Sequence, residues 1–337
     1  MKITHYCNSF IRVSAGDTKL ICDPWIGVSS YGGWMTYPIT EDGRNILSQT
    51  EPTHLYISHI HADHMGGTHL FSENMLRVLN KDIPIYIKNF KLKHLLLRLR
   101  SFGFTNITEL EPWQACSISS DLEITIIPCD STTSDSLEDE VGYDIDTSIL
   151  VRSISDDVLF YNNVDSPMTK SALQTIRDYA AQQTPRGVID VACTAVGAAG
   201  EYPQTFLNID RASEKARIIS SSLQSFTESL NILEPECYFP AGGTYIIPGK
   251  FSALNDYIAQ PSFDELKGRT HDIPSCQHIF NIEGGKSIER IDGQWKPDES
   301  SLPRFTSKAD ALSAHRDMEY EYRGLPQVDD ETLDRLY

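Results

Sequence analysis

Basic residues are scarce in this chain: 29 Lys and Arg stand against 47 Asp and Glu, a formal net charge of -18. Such a surface repels phosphate backbones and anionic bilayers, which argues against nucleic acid and membranes as partners. No stretch approaches the ~20 consecutive apolar residues of a membrane-spanning helix. The opening Met1-Lys2-Ile3-Thr4-His5 also lacks the basic-then-apolar pattern of an export signal. Cysteine is sparse and unpatterned: Cys7, Cys22, Cys116, Cys129, Cys193, Cys237 and Cys276 are odd in number and never form C-x-x-C. That excludes a disulfide scaffold, a zinc knuckle and an iron–sulfur site, and it leaves the expectation of a cytoplasmic protein with reduced thiols. Histidine is absent between His94 and His271.

What is present suffices for a large core, since 40% of the 337 residues are hydrophobic. Short apolar, β-branched runs at Phe10–Val13, Lys19–Cys22, His54–Ser58 and Ile83–Ile87 predict strands. Asn89–Phe102 carries Leu92, Leu95, Leu96 and Leu99 at helical spacing, with Lys and Arg on the other face. Further strands are predicted at Leu122–Ile127, Thr147–Val151, Val158–Tyr161 and Cys237–Pro240, and helices at Lys170–Gln183 and Arg211–Leu233. Two strand-then-helix halves predict a layered α/β sandwich. Ile279–Trp295 reads as a β-hairpin through Gly284-Gly285 and Asp292-Gly293. The chain divides into a domain over 1–295 and a polar C-terminal appendage over 296–337.

The most informative stretch is Leu55-Tyr56-Ile57-Ser58-His59-Ile60-His61-Ala62-Asp63-His64-Met65-Gly66-Gly67. Four ligand-type side chains crowd one turn after an apolar strand. Alternation puts His59 and His61 on one side, and the turn swings Asp63 and His64 to a neighbouring position, so each pair can hold one metal. Imidazole suits Zn, Fe and Ni, and the carboxylate hardens the second position.

H-x-H-x-D-H after a β-strand resembles the metal motif of the metallo-β-lactamase superfamily, which implies a four-layer αβ/βα sandwich and a two-metal site at the edge of the sheets. The resemblance implies a metal-bridging aspartate after a later strand, and Asp165 follows Phe160-Tyr161-Asn162-Asn163-Val164. It also implies a histidine after the strand ending at Ile127, where this chain has Asp130; Asp130 is the substitute ligand, or a turn residue. The last family histidine should follow Glu236–Phe239, where Pro240-Ala241-Gly242-Gly243-Thr244-Tyr245 stands instead. His271 and His278 lie further on, outside any motif.

Asp23-Pro24-Trp25-Ile26-Gly27 with Tyr31 and Trp34, the histidine motif, Pro84–Ile87 and Asp146–Val151 are similar to the metallo-β-lactamase-type part of CMP-N-acetylneuraminate hydroxylases. The ascorbate-6-phosphate lactonases and N-acyl-phosphatidylethanolamine phospholipases resemble the same subgroup. The hydroxylases carry a Rieske domain, whose joint C-x-H and C-x-x-H ligand pair this chain lacks, so an electron-delivering partner would come separately or be unnecessary. Asp23 is placed to orient a metal-bound histidine, or to cap a turn before Pro24. Trp25, Tyr31 and Trp34 offer stacking walls for a sugar or nucleotide, with core packing an equal alternative. The Gly-rich segments Ala195–Tyr202 and Ala241–Gly249 resemble pocket-rim loops, which adds Tyr202 and Tyr245 as substrate-binding candidates.

The expectation is a metal-dependent hydrolase with two divalent ions, Zn or Fe with Mn as a further choice, acting on a small polar metabolite such as a sugar phosphate or nucleotide-sugar. Asp63 and Asp165 are its catalytic candidates. A non-haem diiron oxygenase acting on a nucleotide-sugar is the alternative, since Asp130 in place of histidine favours hard ions. A degenerate, non-catalytic binding protein is the second alternative.

Overall fold

Strand residues at the centre of this protein's two sheets alternate between two apolar environments. The computed structural model describes residues 1–27, 33–39, 41–67, 73–129, 146–166, 168–197, 200–300 and 306–319. The first part of the chain forms β1 (Lys2–His5), β2 (Ile11–Ala15), β3 (Thr18–Cys22), β4 (Met35–Thr36), α1 (Gly43–Gln49), β5 (His54–Tyr56), β6 (Ile85–Lys88), α2 (His94–Ser101) and β7 (Ile107–Leu110). Next come β8 (Ala115–Ser117), β9 (Leu122–Pro128), β10 (Thr147–Ser153), β11 (Val158–Asn162), α3 (Lys170–Ala180), β12 (Val191–Ala195) and α4 (Arg211–Leu233). The last part supplies β13 (Cys237–Ala241), β14 (Tyr245–Ile246), α5 (Phe263–Lys267), β15 (His278–Ile279), β16 (Lys286–Ile291), β17 (Gln294–Pro297) and α6 (Lys308–Ala314).

Two large sheets result, ordered β17-β16-β1-β2-β3-β5-β6-β7 and β15-β13-β12-β11-β10-β9-β8. Ile124, Ile126, Ile149, Val151, Val158 and Phe160 meet Ile3, Ile11, Val13 and Leu20 between the sheets. The intervening residues Leu150, Leu159 and Tyr161 point the other way, onto Leu173 and Ile176 of α3 and Leu223, Phe226 and Leu230 of α4. On the first sheet, Ile21, Leu55, Ile85 and Ile87 likewise pack on Ile46 and Leu47 of α1 and on Leu95, Leu96 and Leu99 of α2. The period-2 pattern thus builds helix, sheet, sheet and helix layers, with each fully buried aliphatic side chain contributing ~1.5–3 kcal/mol.

Several elements differ from their sequence-based expectation. α2 starts only at His94, and Leu92 is exposed, because Asn89 still bonds the adjacent strand through Leu110 O. The stretch Ile279–Trp295 is not one hairpin. β15 pairs in parallel with β13 of the second sheet, whereas β16 pairs with β1 of the first. Gly284 and Gly285, both at positive φ, donate to Tyr6 O and His5 O and so redirect the chain between sheets. Within this stretch it is Asp292-Gly293 that makes a two-residue hairpin turn, joining Ile291 to Gln294. β17 runs to Pro297, across the expected boundary at 295/296, and Ala311 of α6 is buried against Met35 and Ile246. No helix among the described residues is long and apolar enough to cross a membrane.

The corner where these glycines sit holds two buried titratable groups with opposed tendencies. Burial lowers His5 to about 4, and burial raises Glu283 to about 7. Between pH 4 and 6.5 the unfolded chain binds the extra proton at His5, so that stability rises with pH. Between pH 4.5 and 7 the folded chain holds it at Glu283, so that stability falls with pH. The two slopes oppose each other where the windows overlap. Urea unfolding of His5→Gln should therefore show stability falling as pH rises through that overlap, and Glu283→Gln should show it rising. Parallel pH profiles in the two variants would contradict the assignment.

Candidate metal centre

β3, β5 and β6 run parallel, so the residues following β3 and β5 emerge at the same edge of the first sheet. Asp23 follows β3 and His59–His64 follow β5. In the second sheet β10 is antiparallel to β11, which brings the residue before β10, Asp146, beside the turn that follows β11 and carries Asp165. The sheets are tied at this edge: Tyr56 Oη lies 2.6 Å from Thr147 Oγ1, which donates to Ser58 O at 2.9 Å.

Local geometry tightens the histidine turn. His64 and Met65 both donate to His61 O, at 3.1 and 3.2 Å, a helical turn that Gly66 ends at φ +85°. A side chain there would be strained and would run into the Asn74 amide, which holds Met65 O. Val164, immediately before Asp165, is β-branched yet adopts φ 56°. Its N–H bonds the Asn162 side chain at 3.0 Å. Backbone strain of this kind costs ~1–3 kcal/mol and is held only where the surroundings over-determine it.

Two donor groups form, and His59 belongs to both. Ligand atoms of His59, His61 and Asp146 lie within 4.8 Å of one another, as do those of His59, His64 and Asp165. His59 Nε2 is 2.9 Å from His61 Nδ1 and 3.7 Å from Asp146 Oδ1. His64 Nε2 is 3.3 Å from Asp165 Oδ2 and 3.5 Å from Asp63 Oδ2. Asp23, fully buried, accepts from Ser58 N at 2.8 Å and Ser58 Oγ at 2.6 Å, and its Oδ2 is 3.1 Å from His64 Nδ1. This leaves the Nε2 of His64 facing Asp63 and Asp165.

Electrostatics follow from burial and proximity. Burial pushes His59 well below the usual imidazole range, and the neighbouring His64 adds to this. Burial also opposes charge on His64, but Asp165, Asp63 and Asp23 outweigh it and hold that imidazole well above its ordinary value. For Asp165, burial is outweighed by His64 and His59, so its carboxyl stays ionised far below the usual range. Three imidazoles and three carboxylates converging on one edge form a donor set suited to divalent cations.

The sequence-based candidates fall into three groups. His59, His61, Asp63, His64, Asp165 and Asp23 converge as described. Asp130 and Tyr31 lie outside the described residues. Asp146 was not singled out as a candidate ligand, and the structure places it with His59 and His61. The substrate-binding expectation does not hold for Trp25, 1% exposed, or Tyr245, 3% exposed. Both are packed inside, and Tyr245 is stacked on Trp34 at 4.7 Å with its hydroxyl bonded to Gly200 O and Gln204. Tyr202 donates to Glu214 at 2.6 Å. After β13, where the family histidine was expected, Gly242 and Thr244 dock on Asn8. His271 and His278 are exposed and belong to neither donor group. Cys276-Gln277-His278 has C-x-H spacing, but no C-x-x-H accompanies it, and all seven cysteines are free.

No protein-family model matches the chain. Its sequence is similar to the cytidine monophosphate-N-acetylneuraminic acid hydroxylase of Pongo pygmaeus, with 24% identity over 257 residues, 73% of this chain and 39% of that protein. The Danio rerio hydroxylase is 25% identical over 254 residues, 72% of this chain and 37% of that protein. A Rieske 2Fe-2S iron-sulfur protein of Mycolicibacterium smegmatis is 26% identical over 144 residues, 40% of this chain and 26% of that protein. The chain thus spans between 20% and 39% of the length of these curated relatives. Among solved structures, a possible metal-dependent hydrolase from Veillonella parvula superposes with a TM-score of 0.57 at 14% identity, covering 86% of this chain and 98% of its own. The isothiocyanate hydrolase from Delia radicum gut bacteria gives 0.56 at 14% identity, covering 86% and 99%. At such identity the likeness is one of fold, and with the two-sheet topology it shows that this chain has the αβ/βα sandwich of the metallo-β-lactamase fold.

Proposed function

We propose that the protein is a metal-dependent hydrolase acting on a small polar metabolite, a sugar phosphate or nucleotide-sugar, and holding two divalent ions. The observation that carries this reading is the convergence of two overlapping His-His-Asp groups with Asp63 beside them, a cluster of six donors that fits a pair of neighbouring cations better than a single one. His59, His61 and Asp146 would hold one ion and His64, Asp63 and Asp165 the other, since His59 has only Nε2 to offer, its Nδ1 lying 2.9 Å from Ser58 Oγ. Bound there, the ions would act as Lewis acids and lower the pKa of water. The protein's own contribution is to orient and to keep charge in place. Asp23 fixes the His64 ring, and the side chains of Asp63, Asp146 and Asp165, 32%, 23% and 32% exposed, leave the centre open to solvent and substrate. Neither nucleic acid nor membrane is a partner in this reading.

A second reading is favoured by the balance of donors. Three carboxylates against three imidazoles suit iron or manganese, and the relatives named as hydroxylases align over most of this chain. Under that reading the protein is a diiron oxygenase supplied by a separate electron donor. Elemental analysis of protein purified in air, without added metal, tests the two. Hydrolysis is expected to go with zinc and an absorption spectrum indifferent to dithionite. Iron with a ferric band bleached by dithionite would replace it with oxygenation, and metal-free protein that takes up no added divalent ion would end both.

A further inference from the structure

A cavity of about 240 Å³ opens beside the metal centre, between the second sheet and α4. Its polar lining includes Ser222, Ser225 and Ser229 of α4, Thr194 of β12, and Asn163 and Ser166 from the turn that carries Asp165. The three serines are spaced i, i+3, i+7 and so present one helical face to the cavity. Met168, Leu173 and Phe226 supply apolar wall. None of the lining residues is charged, in a chain whose formal charge is -18.

A row of serines by itself is what a solvated helix face looks like. Ser166 separates this cavity from that case: it is 2% exposed, and its Oγ is buried without a hydrogen-bond partner among the described residues. Asn163, 9% exposed, is held in place by accepting from Tyr161 Oη at 2.7 Å and donating to Ser166 O at 2.9 Å. Buried hydroxyls are satisfied in folded proteins, and a ligand group is one way to satisfy them.

We propose that this cavity binds the uncharged, hydroxyl- or amide-bearing ring of the substrate, of the size of one sugar. The inference rests on the proposed function, because Asn163 and Ser166 flank Asp165 and would seat that ring next to the reacting bond. A sugar presents hydroxyls that both donate and accept, which matches Ser, Thr and Asn, and a C–H face that matches Phe226 and Leu173. A phosphate or carboxylate there would be desolvated with no cation to meet it.

Saturation-transfer NMR of N-acetylglucosamine and phosphorus-31 line broadening of inorganic phosphate, each on the metal-loaded full chain, test the assignment. N-acetylglucosamine is expected to bind, and Ser225→Leu, a change on the helix surface that obstructs the cavity, is expected to weaken it about tenfold or more. Ser166→Ala should weaken it by a smaller factor, and phosphate binding should not respond to either variant. Absence of saturation transfer to the sugar, equal sugar binding in Ser225→Leu, or loss of phosphate binding in step with the sugar would overturn the proposal. Sugar binding in protein that takes up no added divalent ion would sustain the cavity while removing the hydrolytic reading, so the two can fail separately.

Discussion

His59→Ala is expected to empty one metal position and to loosen its neighbour, whereas His61→Ala or Asp146→Asn should loosen only one. His59 lies in both donor groups, and the other two residues lie in one each. Loss of a residue that merely supports a ligand typically weakens metal binding by ~10–100-fold, so removal of the ligand itself should exceed that range. Metal per chain, measured by elemental analysis after dialysis against a graded chelator, reads the difference directly. Circular dichroism separates ligand loss from unfolding, which matters because His59 is only 1% exposed. Equal metal retention in His59→Ala and His61→Ala would mean that His59 does not support both positions, and wild-type retention in Asp146→Asn would remove Asp146 from the centre.

Asp23→Ala should have the largest effect on stability near the site. The carboxylate is fully buried, and burial holds its pKa above the ordinary value even though His64 and Ser58 work against this. It nonetheless satisfies three donors: the Ser58 N–H, the Ser58 hydroxyl and His64 Nδ1. Removing it strands those groups away from water, next to an imidazole whose neighbouring carboxylates favour its charged form. Breaking one partner of a buried, hydrogen-bonded ionic pair costs ~3–5 kcal/mol, and freeing the ring should weaken metal binding by ~10–100-fold. Asp23→Asn keeps one acceptor and should lose less on both measures. Urea unfolding and chelator competition, run on the same preparations, give the two readouts. A variant with wild-type stability would show that Asp23 does not organise this edge.

Much of the centre is visible in the chain itself because its ligands are local. His59, His61, Asp63 and His64 occupy six consecutive positions after an apolar strand, and one helical turn suffices to gather them. Asp165 was legible for a similar reason, standing just beyond the apolar run of β11. Asp146 was not. Nothing in its immediate sequence distinguishes it from other aspartates, and its role depends on β10 running antiparallel to β11, so that the start of one lies beside the end of the other. Trp25 and Tyr245 were ambiguous for a different reason. A tryptophan near a motif reads equally well as a stacking wall and as core, and only packing shows that Trp25 and Tyr245 are inside.

By itself, the sequence determined the layered α/β class, the helix Arg211–Leu233 and the four-ligand turn, because helical spacing, period-2 alternation and a dense local motif act over short distances along the chain. Tertiary structure alone decided that Gly284 and Gly285 carry the chain from one sheet to the other, that Asp146 joins His59 and His61, and that Asn163, Ser166 and the serines of α4 share one uncharged cavity. Each of these depends on which strands pair and in which direction. Pairing is settled by burying two apolar faces at once over separations of many residues, and no local pattern records it.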